Sequence, residues 1–171
     1  MDLLVSYSWG QFQRAYVEVR RILAHCGDDA PEVEKSHVPG IAIAHSRLDN
    51  RKVIQCCQKL RHESPGSFHF SIKWVPVDYW CHTDLASIKQ CIDEQVVSKI
   101  GADQTWGMKV KKRCWQEYHT SEIVDYLAQD IGREVDLSDP HWWIWIDILG
   151  DKTAIALLHP DEIFSLELPY P

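Results

Sequence analysis

The chain has 171 residues, 45% of them hydrophobic and 11% aromatic, enough for one large domain or two small ones with a packed core. Its formal net charge of −7 is unevenly placed: residues 1 to 80 carry ten Lys and Arg against nine Asp and Glu, residues 81 to 171 eight against sixteen. That balance argues against a general nucleic-acid binder, whose footprint is positive, and the absence of a signal-like start or of an apolar run near the ~20 residues of a membrane span points to a soluble, cytoplasmic protein.

LLVSYSW (3 to 9) alternates like a strand and Gly10 ends it. A helix follows, with Phe12, Tyr16, Val19, Leu23 and Cys26 at helical spacing, Arg14, Glu18 and Arg21 on the opposite side, and Gly27 as its stop. PGIAIAH (39 to 45) is a strand preceded by a weaker one near 32 to 38; Asp49 or Ser46 caps a second helix bearing Val53, Ile54, Cys57 and Leu60. FHFSIKWVPV (68 to 77) is a further strand, with Pro76 suited to its end or to a sheet edge. Strand, helix, two strands, helix, strand is the ferredoxin-like order, so a domain over 1–80 is expected.

A second domain is expected over 81–168. Leu85, Ile88, Ile92, Val96 and Ile100 form a helical stripe begun by Thr83 or Asp84 and ended by Gly101. TWGMKVKKRCW (105 to 115) reads as a strand. Thr120 or Ser121 caps a helix with Ile123, Val124, Leu127 and Ile131, and Gly132 follows it. WWIWIDI (142 to 148) and TAIALL (153 to 158) are strands joined through Gly150-Asp151. The fold class is α/β in the α+β sense.

Enzyme signatures are missing: no phosphate loop, G-x-G-x-x-G fingerprint or nucleophile elbow occurs, and Asp93-Glu94 and Asp161-Glu162 diverge on a helix rather than pairing as acid and base. The six cysteines lack C-x-x-C spacing and read as reduced thiols used as small core residues; His25-Cys26 with Cys81-His82 is the weaker alternative of a metal site. No catalytic residue, metal or cofactor is expected.

KVKKR (109 to 113) is the strongest positive signal. Alternation puts Lys109, Lys111 and Arg113 on one face, Val110 and Lys112 on the other. Such a stripe can bind phosphates; from charge alone, a solvated face neutralised by nearby acids is the better reading. Trp115, Tyr118 and His119 lie just beyond, where they can stack on bases or pack.

WVPV at 74 to 77, TWGMKVKKR, the HTSEIVDYLAQDIG helix, the VDLSDP turn at 135 to 140, and the strand pair around Gly150-Asp151 are spread over most of the second half. In these residues the second half resembles a THUMP domain, an RNA-binding module of tRNA-modifying enzymes. With a ferredoxin-like domain before it, the whole resembles the stand-alone adaptor family that serves the RNA cytidine acetyltransferase in making 4-acetylcytidine in tRNA. The resemblance implies a non-catalytic tRNA-binding protein and no room for a catalytic domain once 1–80 and 81–168 are spent. It places RNA contact on Lys111 and Arg113; Lys109, Lys112, Trp115 and His119 join them by position. The family's Asn-Pro turn is Asp139-Pro140 here, which adds negative charge. Other readings are an accessory of a thiolating, methylating or deaminating enzyme, a metal-dependent hydrolase, or a dimerising module without RNA.

Alternation divides the tryptophan-rich strand as well. Trp142, Ile144, Ile146 and Ile148 form its core face, Trp143, Trp145, Asp147 and Leu149 the other. The Trp143 and Trp145 face can be covered by the first domain, a second copy of the chain or RNA bases; Asp139, Asp147 and Asp151 favour protein.

Overall fold

The computed structural model describes residues 1–167, so the expected limit of the second domain at residue 168 lies outside the described residues. Two compact units result, Met1–Val77 with the segment from Asp161 on, and Asp78–Pro160. The fold is α+β in both.

The first unit runs β1 (Asp2–Tyr7), α1 (Phe12–His25), β2 (Glu32–Lys35), β3 (Ile41–His45), α2 (Asn50–Glu63) and β4 (Ser71–Val77). Its sheet order β2-β3-β1-β4, with antiparallel neighbours, is the ferredoxin-like arrangement read from the element order. In register, Leu3 faces Ala44 and Val5 faces Trp74, and this sheet face packs with Val19, Ile22 and Leu23 of α1 and Val53, Ile54 and Cys57 of α2. Asp49 is the cap of α2, its carboxylate accepting the Arg51 and Lys52 N–H at 3.0 and 3.1 Å. Pro76 costs no ladder bond at the outer edge of β4. Among the described residues, the strand added there, β9 (Phe164–Ser165 in chain order), pairs only with Lys73 and Trp74.

Two expectations for this unit fail. Glu18 is 5% exposed rather than solvated: its carboxylate accepts the backbone N–H of His69, Phe70 and Ser71 at 2.7 to 3.1 Å and the Ser71 hydroxyl at 2.6 Å. The charge is held because it satisfies a loop whose donors have no ladder partner. Cys26 and Cys56 are joined in a disulfide, with Cα atoms 5.9 Å apart, instead of being reduced thiols. The cause is geometric, since the C-cap of α1 and the middle of α2 meet; it also removes Cys26 from any metal set. Cys57, one residue on, is a buried core thiol, and burial pushes its pKa up to about 12.

In the second unit, β5 (Tyr79–His82) leads into α3 (Leu85–Cys91), capped by Asp84, whose carboxylate accepts the Ser87 N–H at 2.7 Å. The apolar stripe continues, but not as an α-helix: a π turn over Ile92–Val96 and a 3₁₀ turn over Val97–Lys99 follow. Ile88, Ile92, Val96 and Ile100 are spaced strictly by four, and a turn of 3.6 residues would rotate them off one face; the wider π turn keeps all four buried. Next come β6 (Trp106–Arg113), α4 (Thr120–Leu127), β7 (Trp142–Leu149) and β8 (Lys152–Leu158), in a sheet ordered β5-β8-β7-β6. The cap of α4 is His119, not Thr120 or Ser121, because Glu122 reaches back to accept the His119 N–H at 2.7 Å. Gly150, at φ +66°, makes the two-residue turn between β7 and β8 possible. Ile144, Ile146 and Ile148 pack with Ile88, Ile92, Ile123 and Leu127, as alternation required. No helix among the described residues is long and apolar enough to cross a membrane.

Candidate nucleic-acid interface

β6 is the edge strand of the second sheet and runs parallel to β7. Parallel pairing follows from the helix between them, since a β-α-β connection returns the chain in the same direction. The register sets Lys109 beside Trp145, Lys111 beside Asp147 and Arg113 beside Leu149. Thus the basic face of β6 and the tryptophan face of β7 are one surface.

On that surface the two lysines sit over aromatic rings. The Lys109 ammonium lies 4.2 Å from the centroid of the Trp143 ring and 5.6 Å from that of Trp145; the Lys111 ammonium lies 5.3 Å from Trp145. Trp145 is 2% exposed, so its indole N–H requires a partner, and it donates to Asp147 at 2.7 Å. The other oxygen of Asp147 accepts from Arg113 at 2.8 Å. Arg113 is therefore oriented, and its charge offset, by a carboxylate that is itself buried. Burial and the neighbouring Lys111 hold the Lys109 pKa below the usual lysine value.

Gly107 completes the surface. A Cβ there would stand 2.5 Å from Cζ3 of Trp143 and 3.1 Å from the Asp136 carbonyl, so only glycine lets the indole lie against the edge strand. The 135–140 turn is held there by the Asp136 N–H donating to the Trp106 carbonyl, and Asp136 caps its own turn by accepting from the N–H groups of Ser138 and Asp139. Those bonds hold its carboxyl below the usual carboxylate range.

The remaining candidates gather elsewhere. Val110 packs against the core, and Lys112, on the same side, donates to the Tyr118 carbonyl at 2.5 Å. Lys112, Trp115 and His119 line an open cleft with Cys114, Gln116 and Tyr118 at the end of β6. The six candidates thus form two groups, Lys109, Lys111 and Arg113 on the sheet face and Lys112, Trp115 and His119 in the cleft. Sequence reasoning missed the union of Lys109 and Lys111 with Trp143 and Trp145, the role of Gly107, and the Asp147 clamp. The signal for the first was the capped helix between two strands, which implies parallel neighbours.

Several solved structures superpose on the chain. PH1313 from Pyrococcus horikoshii does so with a TM-score of 0.59 at 14% identity, over 92% of this chain and 54% of its own. TrmN from Thermus thermophilus gives 0.61 at 10% identity, over 92% and 45%. A predicted N6-adenine-specific DNA methylase from Listeria monocytogenes gives 0.58 at 15%, over 91% and 39%. The chain shares their fold. It spans about half, or less, of the length of the solved structures it matches. No protein-family model and no curated protein matches the sequence.

Proposed function

We propose that the protein is a non-catalytic tRNA-binding adaptor that presents tRNA to a separate modification enzyme, the RNA cytidine acetyltransferase that forms 4-acetylcytidine. The observation that carries the reading is the alignment of Lys109, Lys111 and Arg113 along one edge strand, the two lysines over tryptophan rings and the arginine held by Asp147. Residues i and i+2 on one face of a strand are about 6.6 Å apart along the backbone, a repeat suited to successive phosphates of one RNA strand. Ring faces beneath the lysines fix ammonium groups that would otherwise lose side-chain freedom on binding. The THUMP resemblance of the same strand supports RNA as the ligand, and the recurrence of the fold within longer chains, one of them described as a DNA methylase, fits a module working beside a modifying activity. The acidic remainder of the second half makes binding weak alone and strengthened by a partner that supplies a second site.

A gel shift of tRNA against salt tests the reading. Lys111→Ala/Arg113→Ala is expected to lower affinity and flatten the salt slope by about two contacts; equal binding by wild type and variant removes the basic strand from the function. Deletion in the native source, followed by tRNA nucleoside analysis, tests the partner: loss of 4-acetylcytidine supports the acetyltransferase, and loss of another modification replaces it.

A further inference from the structure

The cleft beyond β6 has no part in phosphate binding by the sheet face, yet its chemistry is that of a base pocket. Its volume is about 340 Å³. The Trp115 and Tyr118 rings stand 5.7 Å apart at 52°, and Tyr118 is 40% exposed, so an aromatic face is left to solvent beside a partly buried one. Gln116 and Glu117 bring an amide and a carboxylate to the rim, able to bond the edge of a heterocycle, and Lys112 is tethered there through the Tyr118 carbonyl. Cys114, at φ +57°, turns the chain out of β6 and exposes its thiol in the cleft.

We infer that this cleft takes one unpaired nucleobase of bound RNA, stacked on the exposed ring of Tyr118, which rests against Trp115, with the adjacent phosphate on Lys112. The inference rests on the RNA-binding reading above and sharpens it. A strand following the β6 cations reaches the cleft where β6 ends, so the protein selects RNA with an unpaired nucleotide next to its bound phosphates. Duplex RNA, whose bases are stacked within the helix, fills only the sheet face.

Cys114 reports occupancy without alteration of the protein. Alkylation by iodoacetamide, resolved by peptide mass spectrometry, is expected to slow about tenfold at Cys114 when the full chain is saturated with a short single-stranded RNA. Duplex RNA and a strand abasic throughout are expected to leave it unprotected. Tyr118→Leu should weaken single-strand binding about five- to a hundredfold, the value of one base stack, and Tyr118→Phe should retain it. RNA that shifts in the gel while Cys114 alkylates at its free rate overturns the cleft but leaves RNA binding standing, as does equal protection by abasic RNA. RNA that does not bind at low salt overturns both.

Discussion

Gly107 and Trp143 are matched as groove and ring: the indole occupies the space where any other residue would carry its Cβ, 2.5 Å from Cζ3. Gly107→Ala is therefore expected to displace the indole and cost about 1–3 kcal/mol, the range for overpacking. Denaturant unfolding measures the loss, and it should be accompanied by weaker tRNA binding, because Lys109 loses its ring. A variant as stable as wild type would show that the edge strand yields freely.

Asp147 restrains the arginine it orients. Asp147→Asn keeps an acceptor for the Trp145 N–H and removes the charge opposite Arg113. Stability should fall by about 1–3 kcal/mol, since a charged hydrogen bond is lost from a buried position, while tRNA affinity rises and the salt slope steepens by about one. Unchanged salt dependence would mean that Arg113 does not reach phosphate.

Glu18 anchors the 69–71 segment, and Glu18→Ala leaves buried backbone donors without an acceptor. A loss of about 2–4 kcal/mol is expected in thermal or chemical unfolding. Glu18→Gln, which keeps one carbonyl oxygen, should lose less. Equal losses for the two would assign the effect to packing rather than to the carboxylate.

Cys57 makes stability sensitive to alkali. With a thiol at 9.0 in the open chain and at about 12 in the core, the unfolded state releases its proton first as pH rises. The unfolded state then binds fewer protons, so stability falls between pH 9 and 12 by up to ~1.4 kcal/mol per unit. Cys57→Ala, though less stable at neutral pH, should show a shallower decline; parallel curves would show that other groups govern the alkaline limb.

Much of this was legible in the residues because local signals agreed with the fold. Alternation in WWIWIDI identified the core face of β7, Asp49 was one of the two caps expected for α2, and the element order of the first unit indicated the ferredoxin-like topology. What escaped depended on distant neighbours. Glu18 lies on the polar side of α1 by spacing, and only the approach of residues 69–71 buries it. Cys26 and Cys56 lie 30 residues apart, with no sequence rule joining them. Asp147 looked like a deterrent to RNA when counted as charge; in place it is spent largely on Arg113 and Trp145. Glu122 displaced the expected cap of α4 because its carboxylate, not the hydroxyl of Thr120 or Ser121, fills the first turn.

The parallel register of β6 and β7 has a temporal consequence. Trp106 meets Trp142, and every rung of that ladder joins residues 36 apart in the chain. Pairs so remote close late, after local helices and the β7–β8 hairpin. On the ribosome, a nascent chain stopped before residue 142 would hold the cations of β6 without the rings that seat them. On the proposed RNA-binding reading, affinity is expected to arise as a step near the end of synthesis of this unit, once β7 brings its rings beneath the lysines of β6.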